Sequence, residues 1–503
     1  MNFKALSIAC ASVLATSVAV AGEVDIKQLY TGDFRVTQDN INDLNRNQVR
    51  LAGMRMFIAQ FNKQDGFGDG DDPVTGGHNV IGESRGSLQG NGTFTRINGL
   101  DAQSCLECHG VVSNRIAPAK FGIGGVGGVN NTVLAAGGGS FIDLNVADKQ
   151  KNVDGRVINP PFIFGAGGVE LLANEMTIEL NTQLAAAAAG ATTNLTAKGV
   201  GFGSVTKDAA GNIVTEDHDN DPATDEVAVG ISGVFDTRPT VGGAHNDDFL
   251  VVAPFGRRGN EKSTRTFDTG ALNFHFGMNI EALNEDSDGD GVYGEVTTGE
   301  LSALSIFLAT AQTPFAKPAK GAARQGKQLL NSMGCTECHI PNMDTNGKRL
   351  GFRFPEIGND PAANVYRTVD LTRAPMNFEE NANGGITIPL FADLKRHYMG
   401  PSLEEFDGNG MFTTMRLWGV ADTGPYLHDG RALTIREAIE MHGADIESEA
   451  HGAVQNFVTA PSAEQDALLA FLDTLRSPNG TFPYLINKLA PRVAKRQGVE
   501  KVK

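Results

Sequence analysis

Two short motifs carry most of the chemistry that this sequence can perform. Each has two cysteines separated by two residues and a histidine directly after them: Cys105, Cys108 and His109 in the first motif, and Cys335, Cys338 and His339 in the second. This spacing is typical of c-type haem attachment, because the two thiols bond to the two vinyl groups on one edge of the porphyrin. The next residue then lies under the iron, where its imidazole becomes the proximal axial ligand. The sequence therefore predicts two covalently bound haem c groups.

Two other kinds of site use paired cysteines, and both fit less well. A structural zinc site usually takes its two pairs from nearby positions, whereas these two pairs lie far apart in the chain. A thioredoxin-like redox pair needs no following histidine and has no reason to occur twice. The chain has five cysteines, and Cys10 lies in the N-terminal segment, so none would remain for a disulfide.

The sixth coordination position of each iron decides what its haem can do. A strong second ligand makes the haem an electron carrier, whereas an open position lets it bind and activate a small oxidant. Between the two motifs, the candidates for the first haem are His218, His245 and His275. None of them stands out by its pattern, which favours an open site.

A candidate second ligand for the other haem lies in residues 434–443. Thr434-x-x-Glu437 is a capping box and Gly443 is a natural C-terminal residue, so a short helix is predicted between them. His442 falls on the apolar face of this helix and points toward a core. We hypothesise that His442 is the distal ligand of the second haem. A core histidine bonded to a carbonyl remains the alternative, as do three other ligands: Met441, Met399 and His397.

The elements that must position these residues are mainly helical. Apolar residues at helical spacing occur in five stretches, 40–64, 169–178, 298–310, 322–331 and the segment that begins at Ser462. Ser462-x-x-Gln465 is predicted to be a capping box. Residues 185–247 are polar and rich in Gly, Thr and Asp, and are predicted to be a loop-rich insertion with a small β-hairpin. The fold class expected is mainly α, with two cytochrome c-like haem domains and long loops.

Composition and the positions of proline residues define the predicted domain boundaries. Pro314 and Pro318 mark a linker. We predict a signal peptide at residues 1–21, an N-terminal haem domain at 22–313, a C-terminal haem domain at 322–480 and a tail at 481–503. Two or three domains also agree with the length of the chain.

The N-terminal segment has the features of a secretory signal peptide. Lys4 supplies a positive charge, a short apolar stretch follows, and Ala19-Val20-Ala21 forms a cleavage site of small residues. We predict cleavage after Ala21 and export to the periplasm. No run of about eighteen apolar residues follows, so no membrane span is expected.

The net charge excludes some partners. The chain has a formal charge of −17 at pH 7, and loss of residues 1–21, whose one charged side chain is Lys4, would make it −18. An acidic surface disfavours nucleic acid and anionic membranes as partners. It fits a soluble protein that meets small cationic partners.

Several segments resemble the di-haem oxidoreductase family, which is related to bacterial di-haem cytochrome c peroxidases and to the di-haem enzymes that mature methylamine dehydrogenase. The segments are PFIFGAGGVE (161–170), DLKRHYMG (393–400), LWGV (417–420), YLHDGRA (426–432), EAI (437–439) and HG (442–443). The resemblance runs from about Leu51 to Leu475 and is densest in the C-terminal half. It implies that the first haem reduces peroxide at an open distal side. It also implies that the second haem is six-coordinate and takes electrons from a small donor protein of cytochrome c or cupredoxin type.

The resemblance also suggests roles for single residues. In the family, the distal ligand of the second haem lies after the His-Asp-Gly motif, on the residue directly before a Gly. In this sequence that residue is His442, whereas the related peroxidases carry Met there and the maturation enzymes carry Tyr. A His would lower the haem potential relative to Met. A peroxide-reducing site also needs an acid–base group, and Glu170 matches the family's glutamate by motif. An exposed helix glutamate is the alternative for Glu170.

Two weaker features complete the pattern. One segment resembles the start of a calcium loop, because it carries Asp286, Asp288, Asp290 and Gly291. Relatives hold a calcium ion between their domains. Thr297 replaces the bidentate Glu at position twelve, so an Asp-rich turn is the competing interpretation. Trp418, the sole tryptophan, is interpreted either as an electron relay or as an aromatic ring packed on the second haem.

The sequence as a whole predicts a periplasmic di-haem oxidoreductase of peroxidase type. Electrons would enter at the His339 haem and pass to the His109 haem, which would reduce peroxide or another small oxidant. Two alternatives remain: an electron-transfer cytochrome with both haems six-coordinate, and an oxidase that acts on a protein side chain or an organic substrate.

Overall fold

The structure is a computed structural model that describes a defined part of the chain. The described residues are 35–59, 61, 65, 104–105, 109, 160–213, 250–256, 259, 261–276 (274 and 275 by backbone only), 278–283, 294–403, 410–428 and 430–478, with the backbone of four short strands between 133 and 158. The predictions for the signal peptide, the C-terminal tail, the Asp-rich segment 286–291, Cys108, His218 and His245 lie outside these residues.

Eight α-helices occur in the described residues. They are α1 (Arg46–Ile58), α2 (Ala166–Ala186), α3 (Thr264–Phe276), α4 (Thr298–Ala309), α5 (Ala322–Ser332), α6 (Ile435–His442), α7 (His451–Val458) and α8 (Ser462–Leu472). Short 3-10 turns lie at Ile41–Asp43, Glu281–Leu283, Cys335–Glu337, Pro401–Leu403 and Val420–Asp422. The helices predicted from periodicity are all present, and α2 extends well beyond the predicted stretch 169–178. Among the described helices, none is both long and apolar enough to cross a membrane.

Side-chain caps explain where three helices begin. A complete capping box starts each of these helices. Asn45 caps α1, Thr297 caps α4, and Thr434 caps α6. The capping box predicted at Thr434 is therefore confirmed. Thr297, considered as the last position of a calcium loop, instead starts α4.

The capping box predicted at Ser462 is wrong. Pro461 is the N-cap of α8, without a side-chain cap bond, and Ser462 is the first helical residue. The amide of Gln465 donates to the carbonyls of Val458 and Ala460, so it is engaged with the end of α7. A tertiary contact to the preceding helix thus replaces the local cap.

Fifteen short strands in the described residues form small antiparallel sheets. They are β1 (Val133–Ala135), β2 (Ile142–Asp143), β3 (Asn152–Val153), β4 (Arg156–Ile158), β5 (Thr192–Ala197), β6 (Val200–Thr206), β7 (Phe315–Ala316), β8 (Met343–Asp344), β9 (Arg349–Arg353), β10 (Val365–Asp370), β11 (Glu379–Glu380), β12 (Ile386–Ile388), β13 (Arg396–Tyr398), β14 (Met411–Thr413) and β15 (Leu475–Arg476). The strand orders are β1-β4, β2-β3, β5-β6, β7-β15, β9-β10, β13-β14 and β11-β12-β8. The hairpin β5–β6 lies in the segment predicted to be an insertion. These sheets are too small to form a core of their own.

Three clusters of buried apolar side chains hold the helices and sheets together. One cluster packs α1, α3 and α4 beside Cys105, and another packs α5, α7 and α8 beside Cys335. The third and largest lies around α2 and takes residues from both halves of the chain, including Phe352 of β9 and Ile388 of β12. Each haem motif therefore borders its own helical core, and α2 joins the two halves.

A close helix crossing occurs once beside each motif. A side chain at Gly53 of α1 would collide with the carbonyl of Ala303 in α4, and one at Gly326 of α5 would collide with the carbonyl of Ala467 in α8. Only glycine lets the backbones approach this closely. In both cases the crossing helix precedes a haem motif in the chain, so the two motifs are presented by similar helix pairs.

Candidate haem-binding sites

A tight turn presents the second motif. Gly334 adopts a φ of 93°, which reverses the chain at the end of α5, and Cys335–Glu337 then forms a 3-10 turn. The backbone amide of His339 donates to the carbonyl of Cys335, 2.9 Å away. This bond closes one turn of the chain from Cys335 to His339.

His339 and His442 are the two histidines predicted to hold the second iron. Nδ1 of His339 lies 2.9 Å from the carbonyl oxygen of Phe391, and Nδ1 of His442 lies 2.6 Å from that of Ala438. A carbonyl can only accept, so each Nδ1 carries the proton and each Nε2 keeps its lone pair. That tautomer is the one that binds a metal through Nε2.

Burial keeps both rings neutral. It lowers the pKa of His339 to about 4, and the nearby ring of His442 contributes in the same direction. Burial also lowers the pKa of His442. Two neutral imidazoles that interact electrostatically and hold their Nε2 atoms available fit the axial ligands of one haem. The sequence associated a bond to a carbonyl with an ordinary core histidine. In His442 that bond engages Nδ1 and leaves Nε2 for the iron, so it is compatible with iron ligation.

His397, a rival for the ligand role, has both ring nitrogens engaged. Its Nε2 lies 2.8 Å from Asp393 and its Nδ1 lies 2.7 Å from Glu449. Burial opposes charge on this ring, but the bonds to Asp393, to Cys338 and to Glu449 outweigh it and raise the pKa of His397 to about 11. A protonated imidazole offers no lone pair, which disfavours His397 as an iron ligand. Met441 and Met399 remain alternatives to His442.

A large cavity opens beside the first motif. It measures about 1120 Å³, counting the open space at its mouth, and Cys105 and His109 lie on its wall. Apolar side chains from three helices form much of the wall: Phe57 of α1, Leu272 and Phe276 of α3, and Leu304 and Leu308 of α4. The ring of Phe57 lies 6.1 Å from that of His109, centroid to centroid, so α1 positions the histidine.

The described part of this wall contains one histidine, His109 itself. His275 is described by its backbone alone, in α3. The wall also contains one methionine, Met415, which the sequence had not singled out. Its side chain is 40% exposed and offers a thioether, the one additional strong ligand for iron among the described lining residues.

Arg416 brings a buried positive charge to the same wall. Its guanidinium donates to the carbonyls of Phe162, at 3.0 Å, and Pro254, at 3.4 Å, while its Nε has no hydrogen-bond partner. No carboxylate pairs with it among the described residues, and burial lowers the pKa of Arg416 to about 10, so it stays charged at neutral pH. An uncompensated buried charge is costly. A haem carries two propionates, and one of them would compensate this charge, so the cavity fits the cofactor.

Glu170 lies in α2 and is 2% exposed, so the alternative of an exposed helix glutamate is wrong. Its Oε2 accepts hydrogen bonds from the amide and the hydroxyl of Thr264, both at 2.9 Å. Burial raises the pKa of Glu170 to about 7, against the opposing charge of Arg353. Thr264 lines the cavity and Glu170 is not among its lining residues, so Glu170 lies directly behind the wall.

Asp268 is a second buried carboxyl, and it does line the cavity. It lies in α3, is 3% exposed, and accepts a hydrogen bond of 2.9 Å from the hydroxyl of Ser305 in α4. Burial raises the pKa of Asp268 well above its usual range, and the charge of Glu170 adds to the shift. Sequence reasoning missed this residue, because one aspartate in an amphipathic helix ordinarily faces water.

Residues 415–418 connect the surroundings of the two motifs. Met415 and Arg416 line the first cavity, Leu417 packs against the core beside Cys335, and Trp418 belongs to the central cluster. The buried Trp418 ring lies against Gly165 at the start of α2. An aromatic ring therefore lies between the cavity wall and the C-terminal half.

Comparison with known proteins agrees with the motifs. A family model described as "Di-haem oxidoreductase, putative peroxidase" matches residues 175–475. A protein named cytochrome-c peroxidase IdrP2, from Pseudomonas sp. (strain SCT), is 30% identical over 200 residues, which are 38% of this chain and 50% of that protein. The chain thus matches about half the length of this curated relative. These matches confirm the resemblance inferred from the motifs and imply haem cofactors; the first motif and Glu170 precede the residues that the family model matches.

Proposed function

We propose, because the chain belongs to the di-haem oxidoreductase family, that it is a periplasmic enzyme with two haem c groups that reduces peroxide. Electrons would enter through the haem of His339 and reach the haem of His109, where peroxide binds. One observation carries this proposal: the two motifs have unequal surroundings. The second has a pair of neutral imidazoles. The first has a cavity with one described histidine and one buried carboxyl group on its wall, and a second buried carboxyl group lies behind that wall.

Each haem would be attached through its two motif cysteines, and bound haem supplies the redox chemistry of both sites. At the first site His109 would be the proximal ligand and Arg416 would hold a propionate. The largely apolar wall lowers the local dielectric, which strengthens charge interactions in the cavity. The groups that would hold and move protons at this wall are the side chains of Thr264, Asp268 and Glu170.

At the second site His339 and His442 would be the two axial ligands. Two imidazoles give a lower potential than the His and Met of many cytochromes, which suits a haem that passes electrons on. A small donor protein of cytochrome c or cupredoxin type would supply them, and the acidic charge of −17 favours a cationic donor. Trp418 follows the wall residue Arg416 by two positions and would be a candidate for the transfer between haems.

The repeated helix crossing supports the domain organisation that we propose. One pair, α1 and α4, meets at Gly53 beside the first motif, and the other pair, α5 and α8, meets at Gly326 beside the second. We take this as support for two cytochrome c-like haem domains, at residues 22–313 and 322–480. The calcium site at Asp286–Gly291 stays a prediction, which a titration with calcium and a chelator would test.

An electron paramagnetic resonance spectrum of the resting protein is the first test. We expect one low-spin signal from the second haem and, in the resting or half-reduced protein, a high-spin signal from the first. Steady-state turnover with hydrogen peroxide and a reduced small cytochrome c should follow. Two low-spin haems in both states would contradict the proposal, and turnover of an organic substrate without peroxide would favour an oxidase.

Met415 favours one alternative function, that of an electron-transfer cytochrome. If its thioether ligates the first iron, both haems are six-coordinate and the protein is a carrier. The substitution Met415→Leu decides between the two. An unchanged spectrum supports the open site, whereas conversion of the first haem from low-spin to high-spin supports the carrier.

The location has its own test. Cleavage after Ala21 predicts that the mature chain begins at Gly22, which mass spectrometry of the periplasmic fraction would detect. A full-length chain in the cytoplasmic fraction would contradict export.

A further inference from the structure

One face of α3 carries the buried carboxyl group of Asp268 and, one turn earlier, binds the buried carboxyl group of Glu170 through Thr264. Thr264 and Asp268 are four residues apart in α3, so their side chains lie on the same face, and both line the cavity beside His109. Glu170 reaches this face only through its two hydrogen bonds to Thr264. Of the two carboxyls, Asp268 is in contact with the cavity and Glu170 is one residue behind it.

The contacts of Asp268 leave half of its carboxyl group uncommitted. Oδ2 accepts a hydrogen bond from Ser305, whereas Oδ1 has no partner among the described residues. The charged groups that face Asp268 are Glu170 from α2 and Arg265 from its own helix. Packed against it from α4 is the Ser305 hydroxyl, and His109 and Arg416 share the cavity wall.

We propose that Asp268 is the acid–base group that meets a peroxide bound in this cavity, and that Glu170 acts behind it through Thr264. This inference rests on the peroxidase function proposed above. Asp268 is the catalytic member of the pair, since it reaches the cavity, and Glu170 is a positioning residue. Burial raises the pKa of both carboxyls, which favours the protonated form that an acid needs.

The step balances as follows. Reduction of hydrogen peroxide breaks its O–O bond, takes up two electrons and two protons, and releases two waters. The electrons come from the small donor protein by way of the haems. Asp268 gives its proton to the oxygen that leaves as water, its carboxylate is reprotonated from water at the open mouth of the cavity, and the second proton follows the same route.

A group of buried polar side chains surrounds Glu170. Its Oε1 lies 3.7 Å from Arg353, and Arg353 lies 3.5 Å from Glu356. The side chain of Glu356 is 9% exposed, and its other oxygen accepts a hydrogen bond of 2.7 Å from Ser263. Glu170 therefore belongs to a buried network of charged and polar side chains on α2, β9, the segment after β9 and the start of α3.

The test compares four variants of the full-length protein with both haems bound. Asp268→Asn keeps an acceptor for Ser305 but cannot give a proton, and Asp268→Glu restores a carboxyl. Glu170→Gln keeps an acceptor for Thr264. Glu179→Gln is the matched control, because Glu179 lies on the same helix, accepts a hydrogen bond from Lys198 and lies away from the cavity. Haem absorbance and circular dichroism check that each variant folds.

Two readouts separate the roles. The first is kcat for peroxide with a reduced small cytochrome c, measured across pH. The second is the rate of cyanide binding to the resting protein, also measured across pH. Cyanide enters as hydrogen cyanide and loses its proton in the cavity, and the carboxylate form of Asp268 can accept that proton. Cyanide binding needs no turnover, so it tests Asp268 independently of the peroxidase function.

We expect Asp268→Asn to lower kcat by about 10²–10⁴-fold with the KM for the donor unchanged, and to slow cyanide binding. Asp268→Glu should recover part of both rates. Glu170→Gln should lose less activity, and its loss of activity at high pH should move to lower pH, because removal of the neighbouring charge lowers the pKa of Asp268.

Wild-type rates in Asp268→Asn would overturn the inference, and so would a loss in Glu170→Gln as large as that in Asp268→Asn. If the wild-type protein does not turn over peroxide but cyanide binding still slows in Asp268→Asn alone, the peroxidase function fails and the acid–base role of Asp268 stands. If the first haem of the wild-type protein binds no cyanide, the site is closed and both proposals fail.

Discussion

His339 and His442 are held in the same tautomer by the same kind of contact: each donates its Nδ1 proton to a main-chain carbonyl, of Phe391 and of Ala438. The first carbonyl lies in the loop after β12, and the second lies one turn earlier in α6 itself. Backbone groups thus orient both rings, and no carboxylate takes part. His397, between two carboxylates, shows the contrast.

The substitution His442→Gly tests the second ligand. We expect the second haem to become high-spin, because no strong ligand would replace the imidazole. The measurement is the electron paramagnetic resonance spectrum of the oxidised protein. His451→Gly is the control, since His451 also bonds a carbonyl through Nδ1, that of Gly443. A low-spin signal that survives in His442→Gly would move the ligand role to Met441 or Met399.

The substitution Arg416→Gln tests the buried charge beside the first haem. We expect a lower midpoint potential for that haem, because a positive charge in a low-dielectric cavity favours the reduced iron and compensates a propionate. A redox titration followed by absorbance measures it. Arg436→Gln is the control, because the Arg436 guanidinium lies over Phe457 at 5.4 Å much as Arg416 lies over Phe255 at 5.9 Å. Equal shifts in both variants would count against a specific role for Arg416.

Local patterns in the sequence located α6 and its histidine correctly. The capping box at Thr434 and the apolar face that includes His442 depend on residues within two helical turns, so both are visible in one short window. Asp268 and Arg416 carry no such local signal. They come from distant parts of the chain and meet at the first cavity only through tertiary packing. The wrong cap at Ser462 has the same cause, since Gln465 bonds to the neighbouring helix.

The substitution Gly326→Ala tests the helix crossing beside the second motif. The new methyl group would collide with the carbonyl of Ala467, so the helices must separate. We expect a loss of about 1–3 kcal/mol in the free energy of unfolding, measured by urea denaturation. Gly452→Ala in α7 is the control, since nothing lies within 4 Å of the added methyl group. The control should gain up to about 1 kcal/mol from helix propensity, and an equal gain in Gly326→Ala would contradict the close crossing.

The buried carboxyl of Glu170 predicts a specific dependence of stability on pH. Burial raises its pKa in the folded protein to about 7 from an ordinary value of 4.5. The folded state therefore binds this proton more tightly than the unfolded state does. The stability that this group contributes is complete below about pH 4.5 and is lost as the pH rises to about 7, by at most about 3 kcal/mol.

The substitution Glu170→Gln removes this titration, because an amide does not ionise. Relative to the wild-type protein, the variant should gain free energy of unfolding as the pH rises from 4.5 to 7. The difference between the two proteins reports on Glu170 together with the lower pKa of Asp268 that the loss of its charge causes. Urea denaturation at several pH values measures that difference, with Glu179→Gln as the control. Profiles of Glu170→Gln and the wild type that run parallel across this range would show that Glu170 ionises normally in the folded protein.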